Sequence, residues 1–134
     1  MWYSGYMVAR HVNPRKQGDA GMGMAIAWFT NNEYTVNIPL TDSQPYDLVV
    51  EDQTDGSLHR VSVKTTTRDN CEVSLRTQGG NKSQMVVRHF DSSSVELLFV
   101  AAPHALYLIP ASKVASKSTI SVKGKKYDEY IVQV

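Results

Sequence analysis

The stretch PYDLVVEDQTDGSLHRVSVKTTT, residues 45–67, carries an acid near its start, Asp47, and a lysine near its end, Lys64, on two runs that read as neighbouring strands. A carboxylate at a strand end facing a lysine on the next strand can hold Mg²⁺ and position a water beside it. Hard divalent cations take oxygen ligands, and these include backbone carbonyls such as that of Val63. The metal lowers the pKa of the water and neutralises charge growing on a phosphate, while the lysine stabilises the nucleophile or the transition state. Such a site usually wants a second carboxylate or amide two residues before the lysine. That position here is Ser62, a neutral and weak ligand.

The pairing behind this reading comes from Asp55-Gly56, a strong short-range signal for a two-residue hairpin turn. Counting outward sets Thr54 against Ser57, Glu51 against Arg60, Val49 against Ser62 and Asp47 against Lys64. Alternation then places Asp47, Val49, Glu51, Arg60, Ser62 and Lys64 on one face, and Leu48, Val50, Val61 and Val63 on an apolar one. The plain alternative is a pair of cross-strand ion pairs, Glu51 with Arg60 and Asp47 with Lys64, each worth roughly 0.2–1 kcal/mol. The pairing alone does not separate the two readings.

Other constellations are weaker. The histidines at 11, 59, 89 and 104 have no metal-site spacing and read as surface or structural residues, and no catalytic triad can be argued. The GMG at 21–23 lacks the lysine and the preceding strand of a phosphate loop. The single cysteine, Cys71, excludes an internal disulfide and a cysteine-cluster zinc site, and reads as a structural thiol. No stretch has the length of a membrane span, and the N-terminus lacks the pattern of a signal peptide, so a cytoplasmic, reduced setting is the expectation.

At 134 residues and 42% hydrophobic content, the chain can build one real core. Its net charge of +1 is not the basic excess common in nucleic-acid binders, so a DNA role requires basic residues gathered on one face. They concentrate in 10–16 (Arg10, His11, Arg15, Lys16) and 60–68 (Arg60, Lys64, Arg68), with Arg76, Lys82 and Arg88 following.

The elements that must position Asp47 and Lys64 are legible in outline. Residues 1–12 form an N-terminal arm, and 13–134 a single domain. Asn13-Pro14 starts a helix, with Asn as cap and Pro at the first helical position. Met22, Ala25, Ile26 and Phe29 form its buried stripe, and Asn31-Asn32 ends it. Gly18, Gly21 and Gly23 each weaken the helix by about 1 kcal/mol relative to Ala, which points to something packed closely on its backbone. Strands are expected at 34–38, on either side of Asp55-Gly56, and at 72–76, 84–89, 95–101, 105–109, 119–123 and 129–133. A single helical turn is expected at 110–114. This is an α/β, α+β-like pattern: an N-terminal helix on a central mixed β-sheet, with additional C-terminal strands.

In that order, GDAGMGMAIAWF, YTVNIPL, PYDLVV and RVSVKTTT resemble the PD-(D/E)XK nuclease superfamily, in its group I intron homing-endonuclease and Holliday-junction-resolvase branches. The likeness continues through SLRTQGGN and LYLIP. It implies a restriction-endonuclease-like core in which Asp47 is the metal-binding acid, Lys64 the catalytic lysine and Val63 a carbonyl ligand of Mg²⁺, with Mn²⁺ substituting. Two positions depart from the family pattern. Ser62 stands where Glu or Gln is normal, and Met22 where the first helix often has Glu. Asp19, one turn before Met22, is a substitute acid, unless it only stabilises the helix N-terminus. Ser62 either holds a metal-bound water as an auxiliary catalytic contact or marks a site tuned down.

Arg15, Lys16 and Gln17 at the helix start, Thr66 and Arg68 after the lysine, and Arg76, Asn81 and Lys82 around the glycine loop are the candidate DNA contacts. The leading expectation is a Mg²⁺-dependent DNA endonuclease acting on duplex or branched DNA as a homodimer or homotetramer, with a phage or mobile-element origin fitting the likeness. The alternative is a catalytically silenced DNA-binding or assembly protein on the same fold. A third is an α+β domain whose Asp47–Lys64 pair is structural.

Overall fold

Helix α1 spans Pro14–Asn31 in the computed structural model, which describes residues 13–79, 86–88 and 90–132. The expected N-terminal arm, Asn81 and Lys82 lie outside the described residues. The Asn13 side chain accepts the Arg15 N–H at 2.9 Å, and Pro14 takes the first turn, where its missing N–H costs nothing. Asn32 closes the other end, its N–H donating to the Phe29 carbonyl at 3.1 Å.

Among the described residues ten strands follow: β1 Tyr34–Asn37, β2 Leu48–Asp52, β3 Leu58–Thr65, β4 Glu72–Ser74, β5 Thr77–Gly79, β6 Val86–Arg88, β7 Leu97–Ala101, β8 Leu106–Pro110, β9 Thr119–Ser121 and β10 Ile131–Val132. Two 3₁₀ turns, η1 Ala111–Val114 and η2 Asp128–Tyr130, complete the chain. The central sheet has the order β1-β2-β3-β7-β8-β10, with β3 and β7 parallel and its other pairs antiparallel, so it is mixed as expected. β4 pairs with β9, and β5 with β6, both antiparallel.

Each face of the sheet has its own core. On one, Ala25 and Phe29 of α1 pack with Leu48, Val50, Val61 and Phe99, all fully buried. On the other, Leu98, Val100, Tyr107 and Ile109 are covered by β4, β9 and the segments around them. The helix stripe is centred one residue off the expected one. Gly21, Ala25 and Phe29 are buried, while Met22 and Ile26 only flank the core. The reason is Gly21, where a Cβ would lie 1.9 Å from Thr65 Oγ1; Gly18 and Gly23 have nothing that close. The missing side chain lets the helix backbone settle directly onto β3.

The hairpin differs from the two-residue turn. Asp52 N–H donates to the Ser57 carbonyl at 2.8 Å, so residues 53–56 form a four-residue loop. The Asp52 and Asp55 side chains accept the Thr54 and Ser57 N–H groups, both at 2.9 Å, and only Gly56 takes positive φ, at 74°. These side-chain caps satisfy loop amides that a tighter turn would place in the ladder. The register slips by two, setting Leu48 against Val61, Val49 against Arg60 and Glu51 against Leu58. An even slip keeps every side chain on its face and changes only the partners.

Candidate active site

Asp47 sits just before β2. Its N–H donates to the carbonyl of Val61 at 2.8 Å, and Val61 is already paired with Leu48. Two residues therefore oppose one, the arrangement of a β-bulge, which re-aims the side chain at a strand end. The Asp47 carboxylate turns to the exposed edge of β3, where Oδ2 accepts the Val63 N–H at 2.7 Å. A residue's N–H and C=O leave an antiparallel strand on the same edge, so the Val63 carbonyl lies on the edge that the carboxylate caps. Oδ1 makes no hydrogen bond among the described residues.

Lys64 is next along β3, with Ser62 two residues before it on the same face. Ser62 is 5% exposed because it pairs with Leu98 of β7 at the rim of the second core. Its hydroxyl has no hydrogen-bond partner among the described residues. The expected direct opposition of Asp47 and Lys64 is corrected by the register slip and the bulge. Neither expected ion pair forms among the described residues, where the ion pairs are Arg60–Glu96 and Arg68–Glu72.

Glu96 replaces Glu51 as the partner of Arg60. It accepts the Arg60 N–H at 2.8 Å and meets the guanidinium edge-on, and this bonding holds the Glu96 carboxyl below its ordinary range. No local signal in the sequence points to Glu96, because it reaches Arg60 only once β3 and β7 lie side by side.

One carboxylate oxygen without a hydrogen-bond partner among the described residues and an adjacent backbone carbonyl are hard donors. Mg²⁺ keeps several waters and binds through one or two carboxylates plus substrate phosphate, so this pair fits it. No cluster of three or more His, Cys, Asp or Glu side chains suited to a metal occurs among the described residues. Asp19 is exposed on α1. A two-residue step turns a helix about 200°, so it lies on the side away from buried Gly21. Met22 is half-buried against the helix-side core.

A family model for PD-(D/E)XK endonucleases matches residues 12–131. The chain belongs to the PD-(D/E)XK endonuclease family. No curated protein matches it. Among solved structures, "The structure of a bacterial homing endonuclease: I-Ssp6803I" is similar in fold, with a TM-score of 0.71 and 21% identity over 87% of each chain. The expected architecture is thus that of a PD-(D/E)XK endonuclease, with the helix, the Asp-bearing strand start and the lysine strand in the expected order.

The candidate DNA contacts fall into different settings in this PD-(D/E)XK domain. Arg15, Lys16 and Arg76 are exposed. Gln17 is half-buried, its Oε1 accepting the Thr67 hydroxyl at 3.0 Å, which ties the start of α1 to the chain just past Lys64. Arg68 is exposed beside Glu72, at 3.7 Å. Thr66 is a correction. It is 3% exposed and its hydroxyl accepts the Arg68 N–H at 3.3 Å, so it shapes the strand end rather than meeting a ligand. At the other end of the sheet, Glu33, Asp52 and Asp55 gather at the hairpin tip, where the Gln53 N–H donates to the Glu33 carbonyl at 3.0 Å. That tip is acidic. Among the described residues no helix is long and apolar enough to cross a membrane.

Proposed function

We propose that this PD-(D/E)XK protein is a divalent-metal-dependent DNA endonuclease whose site is Asp47, Val63 and Lys64. The observation that carries the reading is the Asp47 carboxylate, held by the Val63 N–H with Oδ1 left over, beside a lysine that makes no ion pair among the described residues. A structural Asp–Lys pair would have closed on itself. Bound Mg²⁺, or Mn²⁺ in its place, would supply Lewis-acid stabilisation of a phosphate and a more acidic water. Asp47 Oδ1 and the Val63 carbonyl would hold it. Lys64 offers its ammonium to the attacking water or to charge developing on the scissile phosphate. Ser62 Oγ is an auxiliary polar contact. Asp19, turned to solvent, is the weakest of the proposed ligands. One site cuts one strand, so symmetric cutting of a duplex or junction calls for a homodimer or homotetramer.

Supercoiled plasmid and a synthetic four-way junction, each with Mg²⁺, Mn²⁺ or EDTA, test the reading beside Asp47→Asn and Lys64→Met. Metal-dependent nicking lost in both variants is expected; nicking by well-folded Asp47→Asn at the wild-type rate would sink the assignment.

A second reading, a silenced DNA-binding or assembly protein, is favoured by one feature, the buried serine where the family places Glu or Gln. It predicts DNA binding without cutting under either metal, and some recovery of cutting in Ser62→Gln.

A further inference from the structure

The segment Lys123-Gly124-Lys125-Lys126 is a tight turn between β9 and η2, and its three lysines are exposed. Gly124 has φ +96°, which lets the chain reverse while all three side chains stay on the outside. None of them forms an ion pair among the described residues, although Asp128 and Glu129 follow just after Tyr127. The Lys126 ammonium instead lies 5.6 Å from the centre of the Tyr127 ring.

Two sets of contacts place this turn relative to Lys64. Along the sheet, Lys64 pairs with Val100 and Val100 with Tyr107, one row on one face. With strands ~4.8 Å apart, Tyr107 lies about 10 Å from Lys64 across that row. The Tyr107 hydroxyl donates to the carbonyl of Val122 at 3.1 Å, immediately before the turn. Burial first, then the charges of Asp128 and Cys71, push the Tyr107 pKa up to about 12, so it remains a neutral donor. Because its proton goes to Val122, it accepts from His104 Nε2 at 2.5 Å, and His104 Nδ1 faces Cys71 Sγ at 3.8 Å.

The second set comes from the chain that leaves β3. The Val122 N–H donates to the Cys71 carbonyl at 3.2 Å and the Ser121 hydroxyl to the Asn70 carbonyl at 2.6 Å. The turn is therefore strapped to the loop that follows Lys64 and Arg68, at the end of the sheet opposite the acidic hairpin tip.

We propose that Lys123, Lys125 and Lys126 form a phosphate-binding element that grips the DNA backbone next to the scissile phosphate, with Tyr107 and His104 as the strut that holds it at the level of Lys64. This rests on the nuclease reading and adds a binding surface to it. Contacts to phosphate carry affinity and register, not sequence preference, and each one neutralised lowers the salt slope of binding by about 0.9.

The test is equilibrium binding of a fluorescent duplex by the full chain in Ca²⁺ across a range of NaCl. The proteins compared are wild type, Lys123→Ala/Lys125→Ala/Lys126→Ala, the corresponding triple Arg variant, and Lys113→Ala. Lys113 lies on η1, where Ala111 N–H donates to Glu96 at the far end of β7, and serves as the control. The expected result is a slope smaller by roughly 2–3 in the Ala triple. The Arg triple should be restored and Lys113→Ala unchanged. An Ala triple with the wild-type slope overturns the element while leaving the nuclease reading intact. A fall of about 0.9 in Lys113→Ala, the same per lysine as in the triple, overturns it as general surface charge. Wild type that neither binds nor cuts DNA overturns both readings together.

Discussion

The Asp47 carboxylate accepts the Val63 N–H at 2.7 Å, so the side chain that would offer oxygen to a cation is anchored on the residue whose carbonyl would join it. The same strand then presents Lys64. A one-residue bulge at Asp47 thus sets acid, carbonyl and lysine on adjoining positions without a second acidic residue.

Asp47→Asn and Asp47→Ala should separate the two duties of this carboxylate. Asn retains a carbonyl oxygen for the Val63 N–H, and should unfold in urea near the wild-type midpoint while losing cleavage. Ala leaves that N–H without its partner, and should lose cleavage together with about 1–3 kcal/mol of stability. Equal midpoints for the two variants would show that the hydrogen bond is not structural.

Lys64→Met should leave stability within roughly 0.5 kcal/mol, since no ion pair is removed among the described residues. Cleavage at saturating enzyme should fall by orders of magnitude. A drop in stability larger than that would point to a structural charge contact at Lys64.

Gly21→Ala should destabilise the fold by about 1–3 kcal/mol even though Ala favours helix by about 1 kcal/mol, because the new Cβ meets Thr65 Oγ1 at 1.9 Å. Adding Thr65→Ala should recover most of the loss, leaving a Cβ contact of 3.0 Å. Gly18→Ala and Gly23→Ala, with open space around them, should stabilise by roughly 0.5–1 kcal/mol. Thermal melts of the three single glycine variants and the double variant check the pattern.

Glu96 ties stability to pH. Its carboxyl is held below the ordinary 4.5, chiefly by the Arg60 side chain. A folded-state value below the unfolded one means that the unfolded chain binds more protons in between, so stability rises with pH there. The contribution is in place above about pH 4.5 and is lost as pH falls through the lowered value. Urea midpoints measured from neutral pH into acid should show a shallower acid limb for Glu96→Gln. Some slope should persist, because Ser57 and Ser93 hydrogen bonds lower Asp55 and Asp91 as well.

Local chemistry along the chain was sufficient for the Asn13 cap, the apolar faces of β2 and β3 and the order in which helix, acid and lysine occur. Propensity, capping and period-two alternation act over a few residues. The resemblance of GDAGMGMAIAWF through RVSVKTTT singled out Asp47, Val63 and Lys64, and the matching family model covers these positions. Tertiary structure decided what depends on distant partners. Asp52 and Asp55 capped a longer loop and slipped the register by two, a choice that hydrophobic alternation cannot see because an even slip preserves every face. Arg60 found Glu96 only across the parallel β3–β7 pair, and Gly21 acquired its role only against Thr65. The exposed KGKK turn has no periodicity to mark it. Its position beside the Lys64 row follows from Tyr107 and Val122, residues brought together by two separate sheets.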